Sequence, residues 1–386
     1  MGEKRKSVLL ALSDTHHGFY RGAARYARDH GWHLVTDMIY TADLPHGWRG
    51  DGILSFIGYR HGLAEFVLSN PAPAVEISLV RDDIDLPRVA ADNHEIGRLA
   101  GEHFKERGFR NCLWVPFMDD LPNRERRDGF RKTLEGAGLA VHEMPAARPD
   151  RDRSGTHDWA GRRQLVSGEL KRLPKPLAVF CYNDCIAADI IAACDELEID
   201  VPGEVAVLGV DNDSMLCESI NTPLSSVRHD LEGMAYEAAA LLDRLMAGKK
   251  APRKVKRVPP KGIATRRSTD ILAVDDPQVA RALRFLWDHY ARATLAVPDV
   301  ADAVGVNRRV LEKAFRAELG HGINEELIQA RLRAVVNRLE TTDLSVTDIA
   351  SQTGYTRPNH LFRTFRKHFG MSPREYRNAV VSGAKG

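Results

Sequence analysis

The sequence predicts an α/β body with parallel sheets, followed by an all-α tandem helix-turn-helix segment. Three observations predict it. Short β-branched runs alternate with amphipathic stretches through the first two thirds of the chain. Those runs are nearly all apolar, as strands covered on both faces are. The remainder contains the same helical pattern twice.

At 386 residues the chain has room for more than one domain. With 43% hydrophobic and 28% charged residues it can bury a full core. The runs Val8–Leu12, His33–Met38, Gly52–Ile57, Ala74–Leu79, Asn111–Phe117, Leu177–Tyr182 and Val205–Val210 read as strands. Arg21–Arg28, His94–Arg107, Arg126–Glu135, Gly161–Leu173 and Ile186–Leu197 read as helices between them. Alternating strands and helices imply parallel sheets with helices on both faces.

Ligands in such sheets bind beyond the carboxyl ends of the strands, and polar residues gather there. Ser13 to Tyr20, with Asp14, His16, Phe19 and Tyr20, follows the first strand. Asn183 and Asp184 follow the LAVFCY strand and open a helix. Asp211 follows VAVLGV, and Arg126 stands at the start of the RRDGFRKTL helix. Carboxylates for paired hydroxyls, an Arg fork and aromatic rings together suit a small polyol or sugar. For Asp184 alone, a plain N-cap is an equal alternative. His16-His17 is not expected to hold a metal, since adjacent side chains rarely converge on one ion, and no cofactor is expected.

The five cysteines, Cys112, Cys181, Cys185, Cys194 and Cys217, show no paired framework and read as reduced, buried thiols of a cytoplasmic protein. The apolar run before Asp14 is too short for a signal segment, and no membrane partner is expected.

The basic stretch from Lys249 to Asp270 reads either as a flexible linker or as a Pro-stiffened final strand. A mixture is favoured: a solvated loop around 247–257, then a docked strand and connector. Asp276–Ala293 reads as an amphipathic helix with Val279, Leu283 and Leu286 inward.

The repeat follows. LAVPDVADAVGVNRRVLEKAF runs from Leu295 to Phe315, and LSVTDIASQTGYTRPNHLFRTF from Leu344 to Phe365. Each copy reads as a short helix, a turn at Gly305 or Gly354, and a second helix carrying Arg and Lys. Ser345 and Asp348 form a capping pattern, and Asn307 and Thr356 suit the N-caps of the second helices. Such units place a helix in the DNA major groove. Charge agrees: from Gln278 onward there are 17 Lys+Arg against 11 Asp+Glu, and before it 38 against 42. A basic end on a mildly acidic body suits a DNA-binding module joined to a ligand sensor.

The run from Asp348 to Arg377, DIASQTGYTRPNHLFRTFRKHFGMSPREYR, resembles the AraC/XylS-type DNA-binding domain. The resemblance puts base contacts at Arg309, Glu312 and Lys313, and at Pro358, Asn359, Phe362 and Arg363. Arg308, Arg357 and Arg366 lie on the same charged faces. Polar readout in the second unit would rest on Asn359 and Arg363, with Phe362 against a thymine methyl.

RxxGF from Arg126, NDxxA from Asn183 and VPGEVAVLGVDND from Val201 resemble the sensor of LacI/GalR-type repressors. That resemblance implies a two-lobed periplasmic-binding-protein-like (type I) sensor with Arg126, Asp184 and Asp211 at ligand-contacting positions. Sensor first and AraC-type unit last, with VPPKGIATRRSTD between, resembles the xylose operon regulator family. That resemblance implies D-xylose as the leading ligand, and a homodimeric activator working with RNA polymerase on double-stranded DNA.

The expected domains are a sensor over 1–270, a connector over 271–280 and a DNA-binding domain over 281–386. Its units fall at about 295–319 and 344–369. Lobe one takes about 1–109 plus 231–250, and lobe two about 110–230 plus 251–270. An enzyme is not expected, since no P-loop, GxSxG elbow or HExxH is present. A regulator for another sugar, a ligand-independent DNA-binding protein and a sugar-processing enzyme are the alternatives.

Overall fold

The computed structural model describes residues 5–13, 17–41, 43–146, 159–252, 254–274, 276–342 and 344–383. The chain divides into two compact units, Met1–Thr269 and Asp270–Gly386.

The first unit opens with β1 (Ser7–Leu12), α1 (His17–Asp29), β2 (His33–Val35), α2 (Asp37–Thr41), β3 (Gly52–Phe56), α3 (Leu63–Ser69), β4 (Ala74–Glu76) and β5 (Val89–Ala91). Strands β1 to β4 form a parallel sheet in the order β2-β1-β3-β4. A parallel bridge between Glu76 and Arg88 brings β5 to its edge. Leu9, Ala11, Ile53, Ile57 and Val67 form the core beside it. α1 begins at His17, so Phe19 and Tyr20 stand on a helix.

The second lobe comprises α4 (Asn93–Glu106), β6 (Asn111–Val115), α5 (Leu121–Glu135), β7 (Ala140–Glu143), α6 (Trp159–Arg172), β8 (Leu177–Cys181), α7 (Asp184–Glu196), β9 (Val205–Val210), α8 (Ser214–Ser219) and β10 (Ser225–Val227). Then come α9 (Leu231–Met246), β11 (Lys256–Val258) and β12 (Ile263–Ala264). The second sheet runs β12-β10-β9-β8-β6-β7, parallel except for the antiparallel pair β10 and β12. Its central strands β8 and β9 are buried throughout, which is why they read as continuous apolar runs.

Two lobe boundaries differ from expectation. α4 belongs to the second lobe, so the first ends near Asp92 and not at 109. A Cβ on Gly97 would lie 2.0 Å from Arg126 O, and one on Gly129 2.2 Å from His94 O, so α4 and α5 touch backbone to backbone. The segment 251–270 is shared between lobes: β11 pairs in parallel with β5, and only β12 joins the second sheet. α9 packs on the first lobe, and Gly22 lets α1 close on it, since a Cβ there would meet Glu232 O at 2.1 Å.

The second unit is helical: α10 (Pro277–His289), α11 (Val297–Val304), α12 (Arg308–Leu319), α13 (Ile323–Thr341), α14 (Val346–Gln352), α15 (Pro358–Phe369) and α16 (Pro373–Gly383). α10 buries Val279, Leu283 and Leu286 as its periodicity predicts, but ends before Ala293. Leu272 and Val274 pack against the same core, so the expected connector 271–280 is part of this unit. α13 spans two cores. Ile323 and Leu327 enter the one around Leu311 and Phe315; Leu332, Val335 and Leu339 enter the one around Leu361 and Phe365. Gly305 and Gly354 have φ of 71° and 80°, the left-handed turn each copy requires.

Candidate functional site

A cavity of about 340 Å³ opens between the two lobes of the first unit. Phe19, Phe56 and Tyr59 wall it from the first lobe; Asn93, Asp120, Arg126, Tyr182, Asn183 and Asp211 wall it from the second. His229 and Leu231, where the chain crosses back, close one end.

Arg126 is 4% exposed. It lies in the second turn of α5, not at its start, because Asp120 caps the helix earlier by accepting from Asn123 N at 2.9 Å. Its Nε donates to Asn93 Oδ1 at 2.9 Å and its Nη1 to Tyr182 O at 2.5 Å. The guanidinium sits 4.6 Å from the Tyr182 ring centroid. Burial pushes the Tyr182 phenol well above its ordinary range, so it stays neutral. A fixed cation against an aromatic face can donate to ligand hydroxyls without reorganising.

Asp211 and Asn212 have φ of 108° and 54°; Asn tolerates the second, but 108° is a value that residues with a Cβ adopt only under constraint. The constraints are present. Asp211 N donates to Val227 O at 3.1 Å, and the Asp211 carboxylate meets His229 Nδ1 at 3.1 Å. Asn212 N donates to Ser226 Oγ at 2.9 Å, and Arg266 Nη1 donates to Asn212 Oδ1 at 2.9 Å. Asp213 N donates to Asp184 Oδ2 at 2.8 Å.

Asp184 therefore serves the loop from within. It is 1% exposed and is not among the cavity-lining residues. Burial, then the neighbouring Asp211, raises its carboxyl to about 7. The helix cap beside it is Asn183, whose Oδ1 accepts from Ile186 N at 3.0 Å while the residue faces the cavity.

The structure thus brings Phe19, Arg126, Asn183 and Asp211 to one cavity. Asp184 lies behind it, and Tyr20 is 40% exposed and does not line it. Asp14 and His16 lie outside the described residues. Asn93, Asp120 and His229 were missed. Asp120 carried a signal, an acidic N-cap two residues before Pro122. Cys185 is the exception among the thiols: it is exposed and lines the cavity, while the other four are buried.

In the second unit α12 follows Asn307, whose side chain caps it by accepting from Arg309 N at 2.9 Å. α15 has no such cap: it begins at Pro358 with Arg357 at the N-cap position, so Thr356 does not cap it. Proline at the first helical position fixes φ and has no N–H to satisfy. Ser345 and Asp348 cap α14 as expected. Arg308, Arg309 and Lys313 are exposed on α12, with Glu312 half-buried. Arg357, Asn359, Arg363 and Arg366 are exposed at and along α15. Pro358 and Phe362 are half-buried, and Phe362 packs on the second core, so only part of its ring faces outward. Val310, 55% exposed on α12, went unnoticed because an apolar residue is first assigned inward.

Known proteins share both halves. Residues 101–269 match the family described as periplasmic binding protein-like domain, and residues 300–379 match a helix-turn-helix domain. The xylose operon regulatory protein of Escherichia coli (strain K12) is 27% identical over 358 residues, covering 90% of this chain and 89% of that one. The protein of the same name from Haemophilus influenzae is 28% identical over 294 residues, covering 75% and 74%. A solved structure of the xylose-binding transcription activator xylR superposes with a TM-score of 0.72 at 24% identity, covering 98% of this chain and 99% of that one, which shows a common fold. Two domain matches in this order, with similarity along most of the chain, give it the architecture of a XylR-like regulator, a periplasmic-binding-protein-like domain fused to an AraC-type helix-turn-helix domain.

Proposed function

We propose that the chain is a sugar-responsive activator that binds a pentose, D-xylose first, between its lobes and reads operator DNA through α12 and α15. The observation that carries the ligand reading is the Arg126 fork held beside Asn183 and Asp211 in the cavity between the lobes. At about 340 Å³ the space is at the small end for ligand pockets, which suits a monosaccharide better than an oligosaccharide. Phe19, Phe56 and Tyr182 offer flat faces for the C–H side of a sugar ring.

Ligand contacts from both lobes favour the closed sensor. Closure can shift DNA affinity only by the difference in ligand affinity between two states, typically ~1–3 kcal/mol. Arg308, Arg309, Lys313, Arg357, Arg363 and Arg366 supply phosphate and base contacts, with Asn359 reading an adenine edge. A homodimer would present four such helices to a repeated operator, and RNA polymerase would be the downstream partner of an activator.

A thermal-shift screen of pentoses and hexoses on the full chain tests the ligand, because a ligand bound to the folded state raises its melting point. D-xylose is expected to give the largest shift, and to change the footprint on the chain's own promoter region. No shift with any sugar would discard the cleft as a sugar site.

A further inference from the structure

Three segments of the DNA-binding unit meet at one point. A Cβ on Gly354 would lie 2.4 Å from Tyr290 O and 2.7 Å from Arg331 Nε. Gly354 makes the turn after α14, Tyr290 caps the end of α10, and Arg331 lies midway along α13. Arg331 Nε donates to Tyr290 O at 2.9 Å, and its Nη2 donates to Arg292 O at 2.8 Å. Its guanidinium lies 5.9 Å from the ring centroid of Tyr355, a buried residue. The carbonyls at a helix C-terminus carry partial negative charge, so a cation forked onto them makes charge-assisted bonds.

The partners belong to different cores. Tyr290 packs with the core of the first helix-turn-helix, whereas Tyr355 belongs to the core of the second. α13 alone would join the two units by one helix, which leaves bending and twisting soft. Arg331 adds a second attachment. Glycine at 354 is what lets backbone and guanidinium approach closely enough to make it.

We infer that Arg331, seated against Gly354, is a positioning residue that fixes the separation and relative turn of α12 and α15, so that the chain accepts bipartite DNA sites of a single spacing. The inference rests on the proposed entry of both helices into DNA. Neither Arg331 nor Gly354 needs to touch a base for this.

Binding-site selection from randomised duplexes, with the full chain, tests it. The parent chain should enrich two short motifs about one helical turn apart, ~10.5 base pairs. Arg331→Ala should keep both motifs but spread their spacing, and lose roughly tenfold of the preference for the parent spacing over spacers one base pair longer or shorter. Arg331→Lys keeps the charge but cannot fork onto two carbonyls. It should spread the spacing less than alanine does, and it reads the same relation should the alanine variant fail to fold. An unchanged single spacing in the variants overturns the inference, as does an equal loss at every spacing, which is what mere destabilisation gives. A parent chain that enriches one motif alone would overturn the two-helix reading itself, a result distinct from either.

Discussion

Ser226 Oγ donates to Asp184 Oδ1 at 2.6 Å while it accepts from Asn212 N at 2.9 Å. With Asp213 N on the other carboxylate oxygen, this makes Asp184 the buried anchor of the loop that presents Asp211 to the cavity. A carboxylate that accepts on both oxygens cannot be replaced evenly by an amide, which offers one acceptor. Asp184→Asn should leave a buried donor unmatched and weaken ligand binding by about 1–3 kcal/mol, read by calorimetry.

The same carboxyl makes a pH prediction. Its folded-state value, about 7, lies above its ordinary 3.8, so the folded chain holds this proton more tightly than the unfolded chain does. The stability it contributes is therefore full below pH 4 and lost as pH rises toward 7. The melting-temperature difference between parent and Asp184→Asn should be more favourable to the parent at pH 5 than at pH 8. A difference that ignores pH would remove Asp184 as the titrating group.

Arg126, buried at the cavity wall, is the first of the proposed ligand contacts to test. Arg126→Lys keeps the charge but loses the fork that reaches Asn93 and Tyr182 O together. It should abolish the sugar-induced thermal shift while the DNA footprint without sugar persists. A normal shift in this variant would move the ligand elsewhere.

Asn183 and Asp211 were legible because each follows a strand with a strong apolar signature, and Arg126 because it stands near the head of a helix; all three line the cavity. The sequence could not separate Asn183 from Asp184. These neighbours share one strand-to-helix junction, and only the packing of Ser226 and Cys217 around Asp184 turns that carboxylate inward. Tyr20 failed for a similar reason, since a helix starting at His17 carries Phe19 inward and Tyr20 outward. The strands β5, β10 and β11 are three residues each, too short to show a period. The sharing of 251–270 between lobes is a fact of strand pairing that no local pattern carries.

Glu125 and Arg257 join the lobes. Nη1 and Nη2 of Arg257 on β11 each donate to the Glu125 carboxylate at 2.7 Å, and Glu125 is 7% exposed. Arg257→Ala would leave that buried carboxylate without its cation, with Asn93 Nδ2 still donating to it at 3.4 Å. Because Arg257 is itself partly exposed, a loss of about 1–3 kcal/mol is expected, below the fully buried case. Adding Glu125→Ala should then cost far less than it does in the parent chain. Additive losses in urea unfolding would show that the two side chains act independently.

Arg363 is exposed on α15 and lies outside the second core. Arg363→Ala should weaken specific DNA binding by about 1–3 kcal/mol if it reads a base edge, with ligand affinity unchanged. If it meets phosphate only, binding should fall equally on all duplexes and the salt slope drop by about 1. Footprints and salt slopes identical to the parent's would remove α15 as a recognition helix.

Cys185 gives a test of the cavity that needs no substitution. Burial raises the thiols of Cys112 and Cys194 to about 12 and those of Cys181 and Cys217 above the usual range, so all four are hidden and protonated. Cys185 is exposed at the cavity wall; partial burial and then Asp211 raise its thiol less far. A maleimide should therefore modify the native chain at one position, slowly at pH 7 and faster at pH 8.5, since the thiolate is the nucleophile. The sugar that gives the largest thermal shift should slow that reaction in proportion to its occupancy. Peptide mapping that finds the label at Cys185 with equal rate at saturating sugar would mean that the ligand does not occupy this cavity, whatever it does to the melting point.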